Sequence, residues 1–181
     1  FGDCSSLDGI WVDAANTHYC NDASGVLYTK NMTTLVHAPG TLSGNYVIPD
    51  SVIEIGTYAF YGCRYLTGVQ IPDGITLLGQ RTFAACTSLP SITIPDSVTA
   101  IEDSAFAQCG SLTSVTIPNS VTSIGHSAFS YCRKLTTVYC KPITPPTGGS
   151  SMFSTSGTTP LQIYVPTNSV NAYKAAKYWS D

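Results

Sequence analysis

Four segments of the chain align at a spacing of 23 residues without a gap, beginning at Ile48, Ile71, Ile94 and Ile117. Five places are the same in all four: Ile and Pro at places 1 and 2, Phe at place 13, Cys at place 16 and Leu at place 19. Four more places are always apolar or small. One such unit cannot bury its apolar face alone, but stacked units share a continuous core. The repeat therefore predicts a β-rich solenoid in which each unit is one coil.

Within a unit, Leu112, Val115 and Ile117 alternate with Ser114 and Thr116. Strand side chains alternate between faces, so the apolar set points inward and the hydroxyl set outward. Pro118 cannot donate to a ladder and ends the strand. Asp96-Ser97 and Asn119-Ser120 supply turn chemistry. Val121 and Ile124, followed by Gly125, predict a second short strand or bend, and residues 127–132 one short helical or 3₁₀ turn with Phe129 in the core.

The pattern continues outside the four units. Phe1, Cys4, Leu7, Ile10 and Val12 match the second half of a repeat, so residues 1–12 read as a partial repeat. Residues 13–47 read as an inserted β-hairpin segment, with strands at 26–29 and 34–37 around a turn at 30–33. Residues 48–139 are the four repeats, and residues 140–181 a C-terminal cap, all in one solenoid domain. Within the cap, Cys140 takes an Ile place, and residues 141–159, rich in Pro, Gly and Ser, read as a loop. Ile163-Tyr164-Val165-Pro166 replays the strand ending. Residues 169–180 carry helical spacing at Val170, Tyr173 and Lys177, with Thr167 or Asn168 as N-cap.

Charged residues are only 10% of the chain and the net charge is −3, against about a quarter charged in average soluble proteins. Without a basic excess the chain is a poor nucleic-acid binder and a poor ligand for anionic membranes. No apolar run approaches the ~20 residues of a membrane-spanning helix. The chain starts at Phe1, in mid-pattern and without a signal peptide, which reads as a fragment of a longer protein.

The unit I-P-x-S-V-T-x-I-G-x-x-A-F-x-x-C-x-x-L-T-x-V, carried almost letter for letter by residues 117–137, resembles the BspA-like leucine-rich repeats of bacterial surface proteins. The inserted GVLYTKNMTTLVHAPG at 25–40 resembles a segment found between such repeats, and TPPTGG at 144–149 with IYVPTNSVNAYKAAKYW at 163–179 resembles their ending in Bacteroides-type bacteria. The resemblance implies a leucine-rich-repeat array, an extracellular or outer cell-surface location, and a role in adhesion to a host extracellular protein or glycan. It implies no catalytic residues and no cofactor, because the shared motif is structural.

The residues themselves offer little chemistry. Cys63, Cys86, Cys109 and Cys132 recur with the repeat, and Cys4 shares their place. Parallel side chains one coil apart sit about 4.8 Å from each other at both Cα and Cβ, beyond the ~3.5–4.5 Å Cβ separation of a disulfide. They read as a column of buried, reduced thiols acting as small apolar fillers. Their spacing is wrong for zinc, whose ligands come in close pairs. Cys140 reads as core, and Cys20 has no counterpart. His18, His37 and His126 share no spacing and read as surface residues. Asp50, Asp73 and Asp96 are turn formers. Adjacent Glu102 and Asp103 do not make a glycosidase pair, which needs carboxyls flanking a sugar. Asn31-Met32-Thr33 matches a glycosylation sequon but reads as a hairpin turn, and Asp50-Ser51-Val52, Asp96-Ser97-Val98 and Asp103-Ser104-Ala105 resemble an O-glycosylation signal.

What remains is surface. The outward strand residues are Gly9 and Trp11, Gly68 and Gln70, Ser91 and Thr93, Ser114 and Thr116, Thr137 and Tyr139. From these, Trp11, Gln70, Thr93, Ser114, Thr116, Thr137 and Tyr139 form the first candidate binding face. Tyr58, Tyr61, Arg64 and Tyr65 cluster in one repeat and form a second, since Tyr and Arg are enriched in binding hot spots. The expectation is a non-catalytic binding module. A structural spacer that displays another domain is the alternative reading, and an enzyme acting on glycans is a remoter one.

Overall fold

The computed structural model describes residue 4, residues 6–154, residue 157 and residues 159–179. The chain winds as a solenoid, and each of the four repeats contributes two strands except that at 71–93, which contributes only the short one. The longer strands are β4 (Ser43–Val47), β6 (Tyr65–Gln70), β9 (Ser114–Ile117), β11 (Thr137–Cys140) and β13 (Gln162–Tyr164). The second series, two residues long in all but the first strand, is β3 (Thr34–His37), β5 (Glu54–Ile55), β7 (Leu77–Leu78), β8 (Ala100–Ile101), β10 (Ser123–Ile124) and β12 (Thr147–Gly148). Neighbouring coils pair in parallel, as in Thr137↔Ser114 and Tyr139↔Thr116 on one sheet and Ser123↔Ala100 on the other. The period-2 alternation acts as the sequence implies, with Leu112, Val115 and Ile117 buried.

Between the short strand and the Leu of each coil the chain makes turns rather than a helical turn. Tyr58, Arg81, Ser104 and Ser127 at place 11 all take positive φ, between 53° and 60°. Ala85, Gln108 and Tyr131 at place 15 do the same. These reversals leave alternate amides free to bond across coils. Arg81, Phe83 and Ala85 donate to the carbonyls of Asp103, Ala105 and Ala107 at 3.1, 2.8 and 2.8 Å, and Ser104, Phe106 and Gln108 donate to His126, Ala128 and Ser130. The corner thus carries its own inter-coil ladder, which satisfies backbone groups that a helical turn would have bonded internally.

The apolar core runs along the axis. Phe60, Phe83, Phe106, Phe129 and Phe153 stack in sequence with centroids 5.0 to 5.4 Å apart. Tyr46 tilts against Phe60 at one end of this column, and Trp179 against Phe153 at the other. Trp179 also meets Tyr173 edge-on at 4.8 Å, and their polar tips donate to the carbonyls of Pro146 and Pro142. These contacts shield the last core layer.

Several details differ from the sequence reading. Residues 141–159 are not simply a loop. Thr147↔Ser123 and Gly148↔Ile124 pair, and Phe129 donates to the Met152 carbonyl at 2.7 Å, so residues 141–154 form another coil. The hairpin of β2 (Leu27–Thr29) and β3 carries a further strand, β1 (Tyr19–Asn21), which pairs antiparallel with β2. β3 pairs in parallel with β5, and β4 with β6. The C-terminal helix α1 spans only Val170–Ala175 after a 3₁₀ turn at Thr167–Ser169, and neither Thr167 nor Asn168 caps it. Its buried residue is Tyr173, whereas Val170 and Lys177 are exposed. Ser180 and Phe1 lie outside the described residues. No strand forms at 88–93, because Pro90 has no N–H to donate. Ile92 and Ile94 are still buried there, but the long-strand face is split into β4–β6 and β9–β11–β13.

Candidate binding surfaces

On the β9–β11–β13 face, the outward row is Thr116, Tyr139 and Tyr164, paired across neighbouring strands. The rings of Tyr139 and Tyr164 stack at 5.2 Å and 21°, and each is about half exposed, at 47% and 50%. The parallel register sets equal side chains side by side, which is why the rings stack. The Tyr164 hydroxyl donates to Gln162 Oε1 at 2.8 Å. Ser114, Thr116 and Thr137 are partly buried, forming a low hydroxyl floor beside the rings. Tyr164 was absent from the sequence candidates; a 25-residue step from Tyr139, rather than 23, hid it.

The other first-face candidates are spread out. Gln70 is exposed on β6, and Thr93 is exposed in the segment that Pro90 keeps out of the sheet. Trp11 is 65% exposed but lies in no strand. Its ring covers Gly9, which is buried against Gly25 rather than facing outward. Trp11 and Tyr139 stand at opposite ends of the array, several strand spacings of about 4.8 Å apart, so one small ligand does not touch both.

The second cluster is partly assembled. The Tyr58 and Tyr61 rings meet at 5.7 Å, and the guanidinium of Arg81, from the next coil, lies 5.7 Å over the Tyr58 ring. Arg64 and Tyr65 are exposed, and Tyr65 begins β6 opposite Ser43. Arg81 was not among the candidates, although it recurs at the same place as Tyr58.

The titratable groups are occupied by structure. Glu102 Oε2 accepts the Gln80 N–H at 2.9 Å, and Asp103 Oδ1 accepts the His126 N–H at 2.7 Å. Both line a groove of about 660 Å³ over the short strands. The His126 ring nitrogens engage the hydroxyls of Ser150 and Ser127 at 2.7 and 3.0 Å. Asp103 therefore serves a backbone amide rather than the imidazole, so no acid–base relay is set up. Among the described residues, no three His, Cys, Asp or Glu side chains gather to hold a metal.

The thiols are free. Cys86, Cys109 and Cys132 are buried and donate to the carbonyls of Phe60, Phe83 and Phe106 at 3.2, 3.2 and 3.1 Å. They are hydrogen-bonded staples between coils as well as fillers. Burial pushes the Cys63 and Cys140 thiols up to about 12. Cys4 is exposed despite its register, and Cys20 is half-buried, its thiol donating to the Thr29 carbonyl at 3.3 Å. His37 is buried, contrary to the surface reading, and burial lowers its pKa. Asn31 sits in the hairpin turn, accepting from the Thr29 and Thr33 hydroxyls.

The family model for the BspA type leucine rich repeat region matches residues 41–168 in six copies. The pneumococcal vaccine antigen PcpA superposes with a TM-score of 0.74 at 24% identity, over 90% of this chain and 40% of its own. A leucine rich repeat protein of T. pallidum gives a TM-score of 0.62 at 30% identity, over 78% and 65%. A leucine rich cell surface protein of Faecalibacterium prausnitzii gives 0.64 at 34% identity, over 77% and 43%. The chain thus spans about 40 to 65% of the length of these structures. A search of curated proteins gives no match.

Proposed function

The chain belongs to the BspA-type leucine-rich repeat family, and from that premise we propose that it is a non-catalytic binding module displayed at the bacterial surface. Its ligand is a host extracellular protein or glycan, held on the long-strand face. The observation that carries this reading is the exposed Tyr139–Tyr164 stack beside the hydroxyl floor of Ser114 and Thr116. The repeated Phe, Cys and Leu side chains are consumed by packing, whereas this pair leaves large aromatic area in solvent. Tyr suits interfaces because it joins apolar area to a polar tip. The surface location is supported by the Faecalibacterium relative, itself described as a cell surface protein. The face carries no charge at Ser114, Thr116, Thr137, Tyr139, Gln162 or Tyr164. Recognition there rests on shape, hydroxyl hydrogen bonds and aromatic contact, with little dependence on ionic strength. An array of host matrix proteins and glycans, probed with the purified protein, tests this reading. A ligand whose binding persists at high salt supports it, and silence across a broad array favours a structural spacer.

A further inference from the structure

The small net charge conceals a strict segregation. Across residues 48–139 the acids are Asp50, Glu54, Asp73, Asp96, Glu102 and Asp103, all within places 1–10 of their repeats. The cations Arg64, Arg81, Arg133 and Lys134 all fall within places 11–18, and places 19–23 carry no charge. Taken along the array, the acids lie on one side, the cations lie at one corner, and the strand face is neutral. The basic corner is the one built from left-handed turns.

Arg64 and Arg133 occupy the same place in the first and fourth repeats, three coil steps or about 14 Å apart. Thr87 and Gly110 fill that place between them, leaving a trough. The trough opens beside Gln108 and Tyr131 as a groove of about 420 Å³ that Arg133 lines. A second groove of about 300 Å³ shares Gln108 and Tyr131 and is lined by Arg81 and Tyr61. Neither lining contains an acidic side chain. Among the described residues, Arg64 and Arg133 have no ion-pair partner, and Arg81 rests only on the Tyr58 ring. Arg81, Gln108 and Tyr131 hold φ of 53°, 63° and 58°, where glycine is the easier occupant.

We propose that this corner is a second binding site, for a polysaccharide bearing carboxylate or sulfate groups. The guanidinium forks of Arg64, Arg81 and Arg133 match planar or tetrahedral oxyanions bidentately. The exposed ring of Tyr131 and the half-buried ring of Tyr61 provide apolar surface for the sugar faces between anionic groups. The coil spacing distributes the cations along the axis, as an extended anionic polymer requires.

The test immobilises heparin, polygalacturonate, neutral dextran and polyglutamate, and measures binding of the native protein and of an Arg64→Thr/Arg133→Gly variant. Both replacements introduce residues that the same place carries in other repeats, and both sites are exposed. The native protein is expected to bind heparin or polygalacturonate but not dextran. Affinity should fall at least about tenfold in the variant, as loss of two charge-assisted contacts implies. It should also vanish near 1 M salt, where charges act over only about 3 Å. A Ser114→Arg/Thr116→Arg variant should keep this binding, which separates the corner from the strand face. Equal binding by the arginine variant, or binding insensitive to salt, overturns the proposal. Preference for polyglutamate overturns it in favour of an acidic polypeptide, and salt-sensitive self-association lost in the variant overturns it in favour of a second copy of the chain.

Discussion

The thiol of Cys109 donates to the carbonyl oxygen of Phe83, 3.2 Å away on the preceding coil. The same bond recurs from Cys86 to Phe60 and from Cys132 to Phe106. It is a contact between two fixed places of the repeat, and it gives each Cys a role that Ala would not fill. These three thiols should resist a thiol reagent in the native protein and react on denaturation. Cys109→Ala should cost about 1–2 kcal/mol, from a lost hydrogen bond and a small cavity. A disulfide between any two of them, found by mass spectrometry, contradicts the column.

Phe106 lies between Phe83 and Phe129 at 5.4 and 5.1 Å, fully buried. Phe106→Ala should lower stability by about 3–5 kcal/mol. Calorimetry that shows an unchanged melting temperature contradicts the register.

Much of this was legible because the core places repeat. Phe60, Cys63 and Leu66 differ from their counterparts only in position, so one unit predicts the next. The coil at 141–154 was not legible, because Pro142, Pro145 and Pro146 made it look like a loop. Its signal was Gly149 and Phe153, which follow Gly125 and Phe129 by 24 residues. The glycine is needed there: a Cβ at Gly149 would stand 2.3 Å from the His126 amide nitrogen. His37 stands two places after the buried Leu35 on β3, on the same inward face, and its burial was missed because its residue type was read ahead of its alternation. The strand face was legible by alternation, but the stacking of Tyr139 on Tyr164 needed the coil register.

Thr113 donates its N–H to the Pro90 carbonyl at 3.1 Å, and Thr136 donates likewise to Thr113. In the 23-residue register an N–H at position 90 would face the Thr67 carbonyl, but proline has none. Pro90→Thr, restoring the residue of the other three repeats, should join the two sheets and raise stability by up to about 1 kcal/mol. Part of the gain is offset because proline also restricts the unfolded chain. Hydrogen exchange should find a protected amide at residue 90, and a rapidly exchanging one would refute the reading.

His37 is held neutral by burial, its pKa below the ordinary value of 6.5. The unfolded chain therefore binds more protons than the folded one as pH falls past 6.5. Stability from this group is complete above that value and is lost progressively below it, toward the lowered folded pKa. His37→Gln should flatten the melting temperature between about pH 7 and 5.5, the window set by the ordinary histidine value. An equal slope in both proteins would assign the pH dependence to other groups.

Ser114 and Thr116 face outward beside the Tyr139–Tyr164 stack, while Val115 between them is buried. An arginine at each outward place would stand over the hydroxyl floor without entering the core. The decisive measurement is the matrix-protein and glycan array repeated with the Ser114→Arg/Thr116→Arg variant, alongside its melting temperature. Loss of the salt-resistant ligand with the melting temperature nearly unchanged is the predicted result. Retention of that ligand at native affinity would contradict a binding site on the long-strand face.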